Sequence, residues 1–424
     1  MLKKEDNEKL CLIGPETPMG QVFRRYWIPA LLSEELSEPD GAPVKVRLLG
    51  EDLVAFRDTN GTVGLMDAYC PHRRAHLFWG RNEECGLRCV YHGWKFDTTG
   101  QCVDTPNEPA TSDFKHSVKL TSYPTWEKAG IIWTYMGPKE LQPDYPDYEW
   151  LRTPDNYRHV SKTYEHCNWL QALEGGIDTS HSSFAHNNNI ADKNALRSRS
   201  TAPKLEVVKT PYGFKYAGIR DLKEDGNYIR GYQFIMPAQQ MRGAMTRWTD
   251  GKREEFPSIA GHLWVPIDDS NVWVFNFIYS ADVEIPFTKE FVLDHETAFG
   301  RGPEDVMPGY RLKRNASNDF LIDREVQRTR TFTGISGINT QDYALQETME
   351  QPFCDRTKEK LGTADTAIIA ARQMLLEAIR EVEAGKMPRG SDPSTSRSVR
   401  GCDRFLPKGV DWKEGLVEDM SAKF

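Results

Sequence analysis

Two Cys-His pairs stand out in the sequence. Cys70-x-His72 lies in CPHRRAHL and Cys89-x-x-His92 in CVYHGW, with sixteen residues between His72 and Cys89. Two thiolates and two imidazoles converging on one point make a metal site. The set suits tetrahedral zinc in a structural knuckle. The sharper reading is an iron–sulfur centre in which two histidines replace two cysteines on one iron and raise its potential.

A second group lies in NWLQALEGGIDTSHSSFAH, Asn168 to His186. Asp178 and His181 are three apart and share one face of a helix. His181 and His186 are five apart, about 140° around an ideal helix, so a helix here must bulge or end near Ser182–Ser183 for both to reach one metal. Two His and one carboxylate on one face of a metal form the facial triad of non-haem Fe(II) oxygenases. The plainer reading is two ordinary helix histidines beside an acid. A distant carboxylate would complete the triad, and Asp319, Asp323, Asp342, Asp355 and Asp365 are all candidates by composition.

The elements that must position these residues follow from patterning. A chain of 424 residues is too long for one core and predicts at least two domains. Residues 1–40 read as an N-terminal helical segment and connector. From Val44, short alternating runs separated by turns such as DTNG (Asp58–Gly61) predict a small all-β domain over 41–145 that carries both Cys-His pairs. The proline-rich stretch GPKELQPDYPDYEWLRTPD is the linker. Over 150–424 the pattern predicts a helix near 165–182, then alternating, aromatic-rich strands (KLEVVKTPYGFKYAGIR, NYIRGYQFIM, SNVWVFNFIYS) and a long helix in DTAIIAARQMLLEAIREVEAGK stopped by Gly385. Strands followed by helices, without βαβ alternation, make the fold class α+β.

Net charge −8 and pI near 5.8 argue against a nucleic-acid partner. No apolar run approaches the length of a membrane span, and MLKKEDNEKL has no apolar leader segment. Apart from Cys70 and Cys89, six scattered cysteines show no pairing pattern, which predicts a reducing, cytoplasmic setting.

The segment CPHRRAHL…CVYHGWKFDTTGQC resembles the Rieske motif of Rieske-type non-haem iron oxygenases. The likeness extends over nearly the whole chain and is greatest to the phthalate-dioxygenase-like branch. It implies a small Rieske [2Fe–2S] domain followed by a catalytic domain whose antiparallel sheet is packed by helices (helix-grip type). It implies that Cys70 and Cys89 bind one iron of the cluster and His72 and His92 the other. It implies a mononuclear Fe(II) held by His181, His186 and Asp342, since NTQDYALQETME is similar to the family segment whose Asp closes the triad, with Asp355 second. Asp178 takes from it the role of bridging His181 to a Rieske histidine of a neighbouring subunit, in a homotrimer or stacked trimers, and O2 is the implied co-substrate. Glu174 reads as structural. Gly175 stands where some branches have Asn, and no role is carried to it.

The chain has no G-x-G-x-x-G fingerprint and no plant-type iron–sulfur run. A separate NAD(P)H-dependent reductase is therefore implied, of flavin and ferredoxin type by the resemblance. The branch implies a small aromatic acid as substrate and ring cis-dihydroxylation of phthalate-like acids, with O-demethylation of methoxylated aromatic acids as the alternative. Arg242 in IMPAQQMRGAM and Lys204 in APKLEV are candidate carboxylate-binding cations; Phe184, Phe234 and Trp264 are candidate ring contacts. From another class, a Rieske electron carrier or a zinc-stabilised binding module would have no use for Asp178, His181 and His186.

Overall fold

The computed structural model describes residues 2–243 and 257–424, together with the backbone of 248–249 and 252–253. The chain divides into two compact units, one Ile13–Tyr145 and the other the helix Lys4–Cys11 with Pro146–Phe424. This division differs from the expected boundary at residue 40. The apolar run Trp27–Leu32 is fully buried and pairs antiparallel with Ile131–Tyr135, so it belongs inside the small unit. The N-terminal helix belongs to the large unit, where the Leu10 and Cys11 carbonyls accept hydrogen bonds from Trp169 and Asn168.

The small unit holds three short antiparallel sheets. One is built from Val44–Leu48, Glu51–Arg57 and Val63–Asp67, and DTNG closes its second hairpin. Asp58 Oδ1 caps that turn by accepting from the Asn60 and Thr62 amides. Another has four strands, including Gly86–Arg88 and Lys95–Phe96, between which the second Cys-His pair falls. Val54, Phe56, Met66, Leu77, Leu87 and Phe96 form the core beneath both pairs.

In the large unit an eight-stranded antiparallel sheet runs in the order Arg158–Glu165, Asn271–Ser280, Ser258–Asp268, Gln239–Gly243, Asn227–Ile235, Gly213–Asp221, Lys204–Thr210, and Cys402–Leu406 adds to Asn227–Ile235. KLEVVKTPYGFKYAGIR is therefore a hairpin of two strands and not one long strand, broken at Pro211-Tyr212. Ser258–Asp268 and Asn271–Ser280 are buried along most of their lengths. The short helix Glu149–Arg152 brings Trp150 to stack on Phe277 at 4.5 Å. Burial on both faces is why these strands are more apolar than simple alternation requires.

The helix expected at 165–182 is shorter, Trp169–Ile177. Asn168 caps its start, and at its end Asp178 adopts an extended conformation and its Oδ1 accepts from Ser180 N at 2.7 Å. That local turn competes with the next helical hydrogen bond and stops the helix. The helix lies against Ser258–Asp268 and against a second helix, Ile338–Gln346. Gly175 and Gly176 permit both approaches: a Cβ on Gly175 would fall 1.8 Å from Gln346 Nε2, and one on Gly176 2.2 Å from the Trp264 ring. The long helix spans Thr366–Glu383, and Gly385 follows its end with φ +71°, as its sequence predicts. No helix among the described residues is long and apolar enough to cross a membrane.

Candidate metal centres

The two Cys-His loops of the small unit are built alike. Cys70 N donates to Ala75 O and Cys89 N to Trp94 O, each five residues on. The Cys70 carbonyl accepts from Arg74 N and the Cys89 carbonyl from Gly93 N, each four residues on. Arg74 (φ +59°) and Gly93 (φ +82°) are both left-handed, which turns each loop sharply enough to aim its Cys and His at one point. The His72 and His92 ring centroids are 4.3 Å apart, and His72 stacks on Trp94 at 4.5 Å.

Cys70 and Cys89 are buried and their sulfurs are neighbours. The Cys89 thiol is pulled down by a hydrogen bond from Cys70, against its burial and with help from the Tyr91 and His92 amides. His72 Nδ1 is buried and has no hydrogen-bond partner. Buried imidazole nitrogens ordinarily do not go unsatisfied, so a metal on that atom is the natural complement, and the donor set fits a Cys2His2 cluster.

In the large unit, His181 Nε2, His186 Nε2 and Asp342 Oδ1 converge. The two nitrogens are 3.0 Å apart, and Asp342 Oδ1 stands 3.5 Å from the first and 3.2 Å from the second. Bonds of about 2.1 Å meeting near right angles put ligand atoms about 3 Å apart, so the triangle fits one metal ion with open positions opposite. Of the five candidate aspartates, Asp342 is the one brought here. Asp355 pairs with Lys358, Asp323 caps the helix Arg324–Thr329, Asp365 accepts from Gly362 N, and Asp319 lies in a short kinked 3-10 segment, Ala316–Leu321.

The histidines meet by a helix end. After Asp178, a single 3-10 turn, His181–Ser183, carries the first and the following turn the second. Asp178 and His181 are thus not on a shared helix face. They meet across the turn, with Asp178 Oδ2 3.5 Å from His181 Nδ1. Burial opposes the charge on His181, but its hydrogen bond to the Asp178 carboxylate and the nearby Asp342 raise its pKa above the ordinary value. Burial likewise opposes the Asp342 charge, and His186, His181 and Arg242 outweigh it and hold the carboxyl low. Arg220, 1 % exposed, ties the turn to the sheet through Ser183 Oγ and Ser182 Oγ.

Arg242 lies within the strand Gln239–Gly243, donating to Gln240 Oε1 and to His262 Nε2, both at 2.9 Å. His262 donates in turn from Nδ1 to Asn276 Oδ1 at 2.8 Å, and burial with Arg242 nearby keeps it neutral. Arg197 and Arg230 join Arg242. Arg197 donates to the His186 carbonyl at 2.8 Å, and its Nε is buried without a partner. Burial first, and the charge of Arg230 next, push Arg197 and Arg242 each down to about 10. Among the described residues, no carboxylate forms an ion pair with any of the three. Arg230 was recognisable as a charge on a buried aromatic strand; Arg197 sits in a one-turn helix, Leu196–Arg199, too short to have a pattern to find it by.

Lys204 is not part of this group. It lies on the edge strand Lys204–Thr210, its side chain 74 % exposed and paired with Glu206 at 2.8 Å, because a lysine at a sheet edge keeps its ammonium in water. Phe184 is exposed and meets Phe332 edge-on at 5.5 Å, Phe234 packs on Phe214 in the core, and Trp264 is the floor under Gly176. Glu174 is structural, bound by Arg356 and Arg372.

A Cys2His2 donor set in one unit and a two-His, one-carboxylate set in the other are the donor sets of an oxygenase of the two-centre kind. Residues 26–124 match the Rieske [2Fe-2S] domain and residues 134–423 the LigXa C-terminal domain like family. The chain is 37 % identical to the phthalate 4,5-dioxygenase oxygenase subunit of Pseudomonas putida, over 98 % of this chain and 94 % of that one. It is 38 % identical to the 3-chlorobenzoate-3,4-dioxygenase oxygenase subunit of Comamonas testosteroni, over 98 % and 100 %. It is 30 % identical to the 5,5'-dehydrodivanillate O-demethylase oxygenase subunit of Sphingobium sp., over 100 % and 90 %. The chain belongs to the Rieske-type non-haem iron oxygenases, as an oxygenase component. It carries a Rieske [2Fe–2S] cluster and a mononuclear iron, with O2 as co-substrate. Enzymes of this family take electrons from separate reductase or ferredoxin partners and typically form multimers.

Proposed function

We propose that the chain hydroxylates an aromatic carboxylate, phthalate-like acids first, by ring cis-dihydroxylation. The observation that carries this reading is the group Arg197, Arg230 and Arg242, whose charges are felt among themselves and, for Arg242, at Asp342, with no carboxylate pairing them. At Arg230 the nearby Tyr232, Tyr228 and Asp403 outweigh burial and favour the charge. Arg197 and Arg242 are half-buried cations with no ion pair among the described residues, whose desolvation is costly, and an anionic substrate offsets that cost. Arg242 has two of its five N–H groups engaged, which leaves donors for a carboxylate. Two of the relatives carry aromatic acids in their names, phthalate and chlorobenzoate.

In this reading Cys70 and Cys89 hold one iron of the cluster, His72 and His92 the other, and His181, His186 and Asp342 the mononuclear iron. When bound, these centres store an electron and activate O2. Asp178 accepts from His181 Nδ1 and so turns Nε2 inward; a Rieske histidine of a neighbouring subunit on its other side would couple the two centres in a homotrimer or stacked trimers. His262 aims Arg242, and Arg220 fixes the turn that bears His181. One arene, one O2, two electrons and two protons give the cis-dihydrodiol, and the electrons come from NAD(P)H through a separate flavin and ferredoxin-type reductase. None of the eight cysteines is in a disulfide, which suits the cytoplasm.

The test supplies iron-loaded protein, a surrogate reductase, NADH and labelled O2 with phthalates, benzoates and methoxybenzoates. A product gaining both labelled oxygens and two hydrogens supports the proposal. Loss of a methyl group with formaldehyde favours O-demethylation, the second reading, which the Sphingobium relative supports.

A further inference from the structure

The helix Ile338–Gln346 contributes more than Asp342 to the large unit's metal site. At 100° per residue, Gln341 lies on one flank of Asp342 and Asn339, three residues back, on the other. Both are almost fully buried, 1 % and 6 % exposed, although amides are seldom buried without a task. Gln341 Oε1 lies 2.8 Å from His186 Nδ1. Its amide nitrogen is committed elsewhere, donating to Asn188 Oδ1 at 2.9 Å and to Ile335 O at 2.8 Å. These two donor bonds settle which end of the amide faces the imidazole. Oε1 can only accept, so His186 carries its proton on Nδ1 and presents a bare Nε2 to the point shared with His181 and Asp342.

Asn339 is oriented by the same logic. Its Oδ1 accepts from Arg301 Nη1, and Arg301 is held by the buried Glu296 at 2.6 Å. The Asn339 amide nitrogen is therefore turned to Asp342 Oδ2, at 3.4 Å. Oδ2 is thus engaged on the side away from the histidines, while Oδ1 faces them.

We propose that Gln341 and Asn339 are positioning residues for the mononuclear site: Gln341 fixes the tautomer and ring angle of His186, and Asn339 occupies Asp342 Oδ2 so that the carboxylate offers Oδ1 alone. The inference rests on the reading that His181, His186 and Asp342 bind the iron. Its physical content is that outer partners of metal-binding imidazoles and carboxylates pre-pay their orientation, and that losing one typically costs about 10–100-fold in metal affinity.

The test uses full-length protein with its Rieske cluster intact and the mononuclear iron removed by chelation. Fe(II) affinity is measured by titration, and the site is read by the electron paramagnetic resonance signal of its nitric oxide adduct. Gln341→Leu should weaken Fe(II) binding about 10–100-fold, with the cluster spectrum unchanged. Gln341→Glu keeps an acceptor for His186 but loses both donor bonds, and should stay within a few-fold of the parent. If the two variants weaken binding equally, the donor bonds and not the His186 contact matter, and the proposal for Gln341 falls. It falls also if Gln341→Leu binds Fe(II) like the parent. Asn339→Leu should retain iron but alter the splitting of the nitric oxide signal; an unaltered signal overturns its half. Asp342→Ala is the separate control: undiminished Fe(II) affinity there would sink the triad reading itself, whatever Gln341 does.

Discussion

Asp178 Oδ2 and Asp342 Oδ1 flank the imidazole of His181 at its two nitrogens, each at 3.5 Å. Asp178 stands at Nδ1, and Asp342 stands beside Nε2, the nitrogen that faces His186. Asp178→Asn should therefore keep both metals while slowing electron delivery by roughly 10–100-fold, the range seen when an outer partner of a metal histidine is lost. Single-turnover reoxidation of the reduced cluster measures this, and parent-like reoxidation would remove Asp178 from the electron path.

His181→Ala and Asp342→Ala should each lose the mononuclear iron and abolish turnover while the Rieske absorption spectrum stays intact, because the two donor sets belong to separate compact units. Asp355→Ala should leave both iron contents and activity unchanged, since that side chain pairs with Lys358 away from the histidines. Iron-to-cluster stoichiometry decides between the two aspartates.

The Rieske loops were legible because their geometry is local: each Cys-His pair lies in one tight loop whose own backbone hydrogen bonds set its aim. The triad was half legible. His181 and His186 are encoded in one stretch, but Asp342 reaches them through the packing of a helix that spacing alone does not locate. The helix near 165–182 is shorter than its pattern suggests because Asp178-Thr179-Ser180 encodes the turn that ends it. Lys204 was misplaced because strand position says which face a residue occupies, not which end of the sheet borders the site. Gln341 and Asn339 were unreadable, since a buried amide is indistinguishable in sequence from a surface one.

Arg242→Ala should raise the dissociation constant for an aromatic carboxylate by about 10–100-fold, as a charge-assisted hydrogen bond is worth about 1.5–3 kcal/mol. Arg242→Lys should recover little, because the His262 and Gln240 contacts hold a planar fork and not a point charge. Lys204→Ala should bind like the parent. Equal affinities for all three proteins in a calorimetric titration would retire Arg242 as the carboxylate anchor.

Gly176→Ala should destabilise the large unit by about 1–3 kcal/mol, the usual cost of overpacking. The new methyl would meet the Trp264 ring at 2.2 Å, and a ring wedged in a sheet cannot step aside. Gly175→Ala should cost less, because the obstruction is the amide end of Gln346, which can swing. Urea unfolding of the two variants should rank them in that order, and the reverse order would mean that the helix, not the indole, gives way.

Glu296 offers a pH signature of the brace behind the triad. Burial opposes its charge, but Arg301 beside it depresses its pKa to about 2. A carboxylate with a folded pKa below its unfolded value, about 4.3, stabilises the fold above that unfolded value and loses the contribution as pH falls through the folded one. The contribution should therefore be full at pH 7, on the order of 3 kcal/mol, and decline between about pH 4 and pH 2. In Glu296→Gln the urea midpoint should fall below that of the parent at pH 7 and the gap should narrow as the solution is acidified. A gap that stays constant to pH 3 would mean that Arg301 is held by Asn339 and Asn276 without help from the carboxylate charge.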